Sequence, residues 1–364
     1  MTESGHGRSR LHLPFPRLRR SLGLDRESIA QNFWWLAGVA PERVGYQHEP
    51  GRLTRQRLER HRALRRPIHI TLLDCNEAGF GSMNAFWINE RSRCCSASVN
   101  SRVEDADIVW VFSQDPLTGE ARRRISAALD RARPEAKILN HPDRYDVYHS
   151  LDCFPRLRAA GVGAPRGEEA FGPEDVGKTL VVYKMQNVQT SPKSQELYDG
   201  PRAGYRAFEF VDSRSGPDNW YQRARVYYLA GTVRPGYWLS CGHWNVCGPS
   251  KPHREAGFDM TPNEIQQTRR IAETLGLDYF AADYLRRADD GVPFFVDINI
   301  YPDIYAVPVM LAGRHYFGIW HTYDTRPLLG VPEPGGRPFA EVFDQAMTHF
   351  ARGEPYPCAP DAYN

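Results

Sequence analysis

The sequence has no run of roughly eighteen apolar residues, so no segment reads as a membrane-spanning helix. Its N-terminus lacks the charged, apolar and small-residue order of a secretory signal, which makes the cytoplasm the expected compartment. The seven cysteines are odd in number and include no CxxC pair. That speaks against a disulfide framework and against a structural zinc site, leaving free thiols as the expectation. Lysine is scarce: of 46 basic residues only five are lysine, and the rest are arginine. A lysine that closes an apolar strand is therefore conspicuous. No internal repeat is apparent.

What is present fits a folded globular body. A chain of 364 residues with 41% apolar and 25% charged content suits two or three packed units of a globular protein. Charge is uneven: Met1 to Arg66 holds fourteen arginines against six acidic residues. Such a run is more often a solvated face than a contact for RNA, and nucleic acid is not the expected partner. The arm leaves open a carrier protein, a partner copy in a homo-oligomer, or nothing. Phe33, Trp34 and Trp35 fall in a stretch that reads as a short docking helix.

After Arg66 the pattern alternates between strand and helix. Ile68 to Leu73, Ala106 to Phe112 and Ala136 to Leu139 read as strands, with a helix over Gly119 to Arg133. This predicts a small parallel α/β unit with polar loops at its strand ends. A helix over Leu151 to Ala160, a strand over Thr179 to Tyr183 ending in Lys184, a polar loop from Met185 to Gln195 and a strand over Tyr205 to Val211 follow. Arg223 to Leu229 and Thr232 to Leu239 read as a hairpin. Thr261-Pro262-Asn263-Glu264 is a capping box opening a helix that stops at Gly276. Tyr279 to Leu285 and Pro293 to Ile298 form a second hairpin about Asp289-Asp290-Gly291, and Pro338 to Arg352 reads as a final amphipathic helix.

The last hairpin carries the sharpest chemistry. Alternate residues of a strand share a face, so Asp297 and Asn299 point the same way and Asp283 can lie opposite. Two carboxylates and an amide oxygen make an all-oxygen set suited to Mg2+. The bland alternative is a pair of strand-end aspartates, although an unpaired carboxylate inside FFVDINI would be costly.

On these residues the sequence resembles the ATP-grasp superfamily. The stretch Leu275 to Tyr305 is similar to the metal-binding end of such enzymes, with Pro302 at the family's proline. Asn140-His141-Pro142 and Leu157 to Pro165 are similar to the exit from the family's preceding domain and the entry into its nucleotide domain. The resemblance implies an α/β (α+β) ATP-grasp fold: an Arg-rich extension over 1–65, a parallel α/β domain over 66–145, and an ATP-grasp domain over 146–364. Within the last, 171–214 would be a lid and 215–364 would hold the metal-binding subdomain and C-terminal helix.

It further implies ATP and Mg2+ as cofactors, with Asp283, Asp297 and Asn299 holding the metal. Lys184 would contact the phosphates, and Arg225 would stabilise the transferring phosphoryl group. Glu209, Phe210 and Val211, with Asp218 beyond them, would hold the nucleotide at the hinge between lobes. The implied activity is carboxylate–amine ligation through an acyl phosphate, on a small molecule or peptide. A kinase, or a nucleotide binder without turnover, is the alternative. The family's second lysine is missing at Asp152-Cys153, where Arg156, Arg158 or Arg166 are candidate replacements. The loop after Lys184 offers Ser191, Lys193 and Ser194 as a lid over the phosphates. Asn76 to Arg93 and Ser240 to Arg254 are expected to shape the acceptor pocket, offering Trp87, Arg91, Arg93, His243, Trp244 and His253, with Asn245 as a further contact.

Overall fold

A computed structural model describes residues 68–74, 85, 88, 92–113, 116–187, 193–245, 253–300, 309–311, 314–316 and 339–354. The arginine-rich arm, the Phe33-Trp34-Trp35 trio, Trp87, Arg91, Ser191 and Pro302 lie outside the described residues.

The first unit is a parallel sheet of β1 (Ile68–Asp74), β2 (Cys95–Val99), β3 (Ile108–Phe112) and β4 (Lys137–Leu139) in the order β2-β1-β3-β4, with α1 (Gly119–Leu129) between the last two. The nearly continuous apolar runs of β1 and β3 follow from burial on both sides, as a parallel sheet requires. Short helices α2 (Tyr145–His149) and α3 (Cys153–Ala159) then lead to a three-stranded antiparallel sheet of β5 (Leu180–Met185), β6 (Lys193–Leu197) and β7 (Tyr205–Glu209), in the order β6-β5-β7. Part of the segment expected as a polar loop is therefore strand. The sequence KSQEL of β6 lacks apolar alternation because it is an edge strand whose residues are half-buried or exposed.

The largest sheet takes β8 (Arg214–Ser215), β9 (Trp220–Leu229), β10 (Thr232–Cys241), β11 (His253–Ala256), β12 (Tyr279–Arg286) and β13 (Pro293–Asn299), with β12 between β9 and β13. Helix α4 (Pro262–Leu275) packs against β9 and β10. It buries Thr268, Ile271, Ala272 and Leu275, the i, i+3, i+4, i+7 stripe of an amphipathic helix. Its capping box forms as expected, Gly276 ends it at φ 65°, and Glu264 also accepts from Arg286 Nε at 2.6 Å. A short pair, β14 (Val309–Leu311) and β15 (Arg314–Tyr316), and helix α5 (Phe339–Arg352) complete the described elements.

One apolar core joins the parallel sheet to the largest one, with Trp110 edge-on to Tyr279 at 4.9 Å. The small sheet has its own core of Val181, Tyr183, Tyr198 and Ala207. Fully buried Asn140, at φ 58°, fastens the two larger sheets. Its Nδ2 donates to the Tyr279 and Ile300 carbonyls at 2.6 and 2.8 Å, and its Oδ1 accepts from the Asp278 and Tyr279 amides at 3.0 Å each. These contacts fix the start of β12 and the residue after β13.

Candidate active site

The β12–β13 ladder places Asp283 directly opposite Asp297, and Ala281 opposite Asn299. All three polar side chains thus share a face. A bulge leaves Val296 without a ladder partner immediately before Asp297. Its carbonyl accepts from Lys184 Nζ at 3.3 Å. On the other side Asp283 pairs with Arg225 of β9. The arginine grips it with two parallel bonds, Nε to Oδ1 at 2.6 Å and Nη2 to Oδ2 at 2.8 Å. Arg223, two residues earlier on the same face, adds Nη1 at 3.2 Å from Oδ2. Gly236 makes room for this strand: a Cβ there would meet the Arg225 carbonyl oxygen at 2.6 Å.

The small sheet supplies the roof. On β5, Val181 and Tyr183 turn into its own core, whereas Val182 and Lys184 turn into a cleft. Lys184 Nζ reaches Asp297 Oδ1 at 3.3 Å, Lys193 Nζ approaches Oδ2 at 3.6 Å, and Tyr148 donates to Oδ1 at 2.7 Å. Burial raises the pKa of Asp297, but Lys184, Lys193 and the Tyr148 hydroxyl outweigh it and hold the carboxyl far below its usual range. Burial likewise opposes the charge on Asp283, and Arg223 and Arg225 overcome it. Desolvation pulls the Lys184 ammonium down, with Asp297 opposing. The Cys153 thiol is pushed up to about 12 by burial, so it stays neutral beside this cluster.

A cleft open to solvent lies between roof and floor, its space about 740 Å³ with the open mouth included. Phe154, Phe208, Phe210 and Trp244 contribute aromatic walls, and Phe210 meets Trp244 edge-on at 6.4 Å. Glu209, Phe210 and Val211 line it where the small sheet joins the larger one. The Glu209 side chain is drawn toward Arg166, at 3.3 Å. Asp218 departs from expectation: it is exposed on the turn between β8 and β9, outside the cleft lining, because β8 carries the chain away from the hinge.

The three arginines considered as replacements for the missing lysine are also committed elsewhere. Arg156 donates to the Thr274 carbonyl at 2.9 Å, Arg158 to the Pro165 carbonyl at 2.5 Å and to Glu169, and Arg166 to Asp175 at 2.7 Å. Trp244 and Asn245 line the cleft, His243 stacks on Trp244 at 5.7 Å, and Arg93 is exposed. Sequence reasoning missed Tyr148 and Arg223. Arg223 was findable, since the spacing Arg-Ala-Arg puts both guanidinium groups on one face.

The donor set fits a hard divalent cation. Asp283, Asp297 and Asn299 offer only oxygen ligands, and the Asn299 amide nitrogen is buried with no hydrogen-bond partner among the described residues. Amide oxygen and nitrogen are told apart only by their bonding partners, so the turned amide would present its oxygen, the atom a cation can take, at this position.

No protein-family model matches the chain, and no curated protein matches it. Among solved structures it is similar to the ATP-grasp ligase PsnB complexed with a phosphomimetic variant of a minimal precursor, Mg and ADP. The identity is 15% and the TM-score 0.49, covering 78% of this chain and 98% of that one. It is also similar to the macrocyclase MdnB from Microcystis aeruginosa MRC, at 12% identity and TM-score 0.48, covering 78% and 99%. A RiPP-associated ATP-grasp ligase from Chryseobacterium gregarium, in complex with ADP and a leader and core peptide, gives 13% and 0.44, covering 64% and 89%. At these scores the likeness is one of outline only.

Proposed function

We propose that the cleft binds Mg-ATP and that the protein is a carboxylate–amine ligase of ATP-grasp type, acting on a small molecule or peptide. The observation that supports this best is the convergence of Asp283 and Asp297 on the floor with Lys184 on the roof of one aromatic-walled cleft. Buried, strongly perturbed charged groups that converge on one cleft mark a candidate functional site.

In this reading the adenine lies between the aromatic walls against the backbone at Glu209 to Val211. Lys184 holds the phosphates as a compact point charge. Asp283, Asp297 and Asn299 would hold Mg2+, which supplies neutralisation of the phosphate charge as it is transferred. Arg223 and Arg225, which hold Asp283, would stabilise charge on the transferring phosphoryl group. A substrate carboxylate attacks the γ-phosphorus, ADP leaves, and an amine then displaces phosphate from the acyl phosphate to give an amide. The small sheet, with a core of its own, acts as the lid that keeps water from that intermediate. The division at residues 66, 146 and 215, with 171–214 as the lid, follows from the same reading.

The test is product analysis with the full chain, ATP, Mg2+ and a panel of acids and amines. Ligation gives ADP, phosphate and an amide in equal amounts. ADP with a phosphorylated hydroxyl would replace ligation by kinase chemistry, and no acid-dependent ADP release with any substrate pair would overturn the ligase assignment.

A further inference from the structure

Lys184 alone is a thin counter-charge for a polyphosphate, and the residues just before α3 add none. Asp152 there is paired with Arg206 at 2.9 Å, and Cys153 is buried and neutral. On the Mg-ATP reading, we propose that Lys193, on the edge strand β6, is the second phosphate-binding cation of this site.

The register of the small sheet pairs Lys184 with Lys193 on one side and with Arg206 on the other. Directly paired residues share a face, so three cations form a row across the sheet. Arg206 leaves the row, turning to Asp152 and the Leu151 carbonyl. The two lysines stay and both line the cleft. Like charges directly opposite on neighbouring strands are unfavourable, and so is burying an ammonium. An edge strand would ordinarily send such a lysine to solvent, yet the Lys193 side chain is only 19% exposed.

Asp297 reconciles the pair by offering one oxygen to each, Oδ1 to Lys184 at 3.3 Å and Oδ2 to Lys193 at 3.6 Å. A carboxylate with an ammonium on either oxygen has the charge layout of a phosphate between two lysines. When Asp297 turns to a cation, phosphate oxygens in the same cleft offer both ammoniums an anionic partner in its place. The second cation thus enters from the lid.

The experiment compares the affinities of adenosine, ADP and AMPPNP for the full chain in the presence of Mg2+, by displacement of a fluorescent ATP analogue. Lys193→Met should weaken ADP and AMPPNP about tenfold, the worth of one charge-assisted bond. Adenosine should bind as to wild type, and Lys193→Arg should recover most of the loss. Arg156→Gln, whose guanidinium is held by Thr274, should bind all three ligands normally. Wild-type AMPPNP affinity in Lys193→Met, with loss in Lys184→Met, would overturn the inference and leave the Mg-ATP reading standing. Equal weakening of adenosine and AMPPNP would also overturn it, making Lys193 a support of the lid only. Failure of the wild-type chain to bind AMPPNP would remove the Mg-ATP reading itself, and this assignment with it.

Discussion

Lys184 Nζ lies 3.3 Å from Asp297 Oδ1, so β5 of the small sheet meets β13 on the floor of the cleft through an ion pair. Both groups are largely buried, and breaking such a pair strands the remaining charge. Asp297→Asn keeps the shape and removes the charge. It should abolish ATP-dependent ADP release and lower unfolding stability by about 3 kcal/mol, with a cooperative melt retained. Wild-type ADP release in this variant would contradict the metal role of Asp297.

Asp283 gives the same site a pH signature. Burial raises its pKa, but Arg223 and Arg225 depress it below the ordinary value near ~3.9. A carboxyl depressed on folding contributes stability that is complete above its unfolded pKa and fades as pH falls through the folded one. The stability difference between wild type and Asp283→Asn should therefore be flat from about pH 8 to about pH 5, narrowing only below about pH 4. Denaturant melts across that range check it, and a narrowing centred near pH 6 would contradict the assignment.

Much of this site was legible because the hairpin obeys two strong local rules. The Asp-Asp-Gly turn marks the hairpin and the period of two puts Asp297 and Asn299 on one face, but the turn register alone would pair Asp283 with Val296, and only the bulge there brings Asp297 opposite. The capping box at Thr261 and the stop at Gly276 were legible for the same reason, being local backbone chemistry. β2, with the sequence CSASV, was not: its small side chains carry no strand signal, and only its neighbour β1 makes it a strand. β6 failed likewise, and with it the place of Lys193, since an edge strand needs no apolar face. Tyr148 reaches Asp297 across 149 residues, a contact no local pattern encodes.

Asn140 tests how the scaffold holds the site. Its side chain makes four bonds to backbone groups at Asp278, Tyr279 and Ile300, and it is fully buried. Asn140→Ala orphans those groups at the start of β12 and just after β13. The expected loss is about 2–4 kcal/mol, read by denaturant unfolding, together with weaker Mn2+ binding in the presence of ADP. An unchanged melting midpoint would mean that water or a local shift replaces all four bonds.

The last prediction concerns the order in which nucleotide and metal arrive. Asp283 is held by Arg223 and Arg225, and Asp297 by Lys184 and Lys193. A free divalent cation must displace four cations to reach two carboxylates, and each displaced cation would be left buried without a counter-charge. A nucleotide changes this balance, since its phosphates accept the lysines and release Asp297. Mn2+, a hard cation that takes the same oxygen donors, makes the effect visible by electron paramagnetic resonance. The free Mn2+ signal should be nearly unquenched by the protein alone. Protein with ADP should quench it beyond the sum of protein and ADP measured separately, and Asp297→Asn should abolish that excess. Tight Mn2+ binding to the nucleotide-free protein would show that the ion pairs yield to metal directly, and that phosphate is not needed to free the carboxylates.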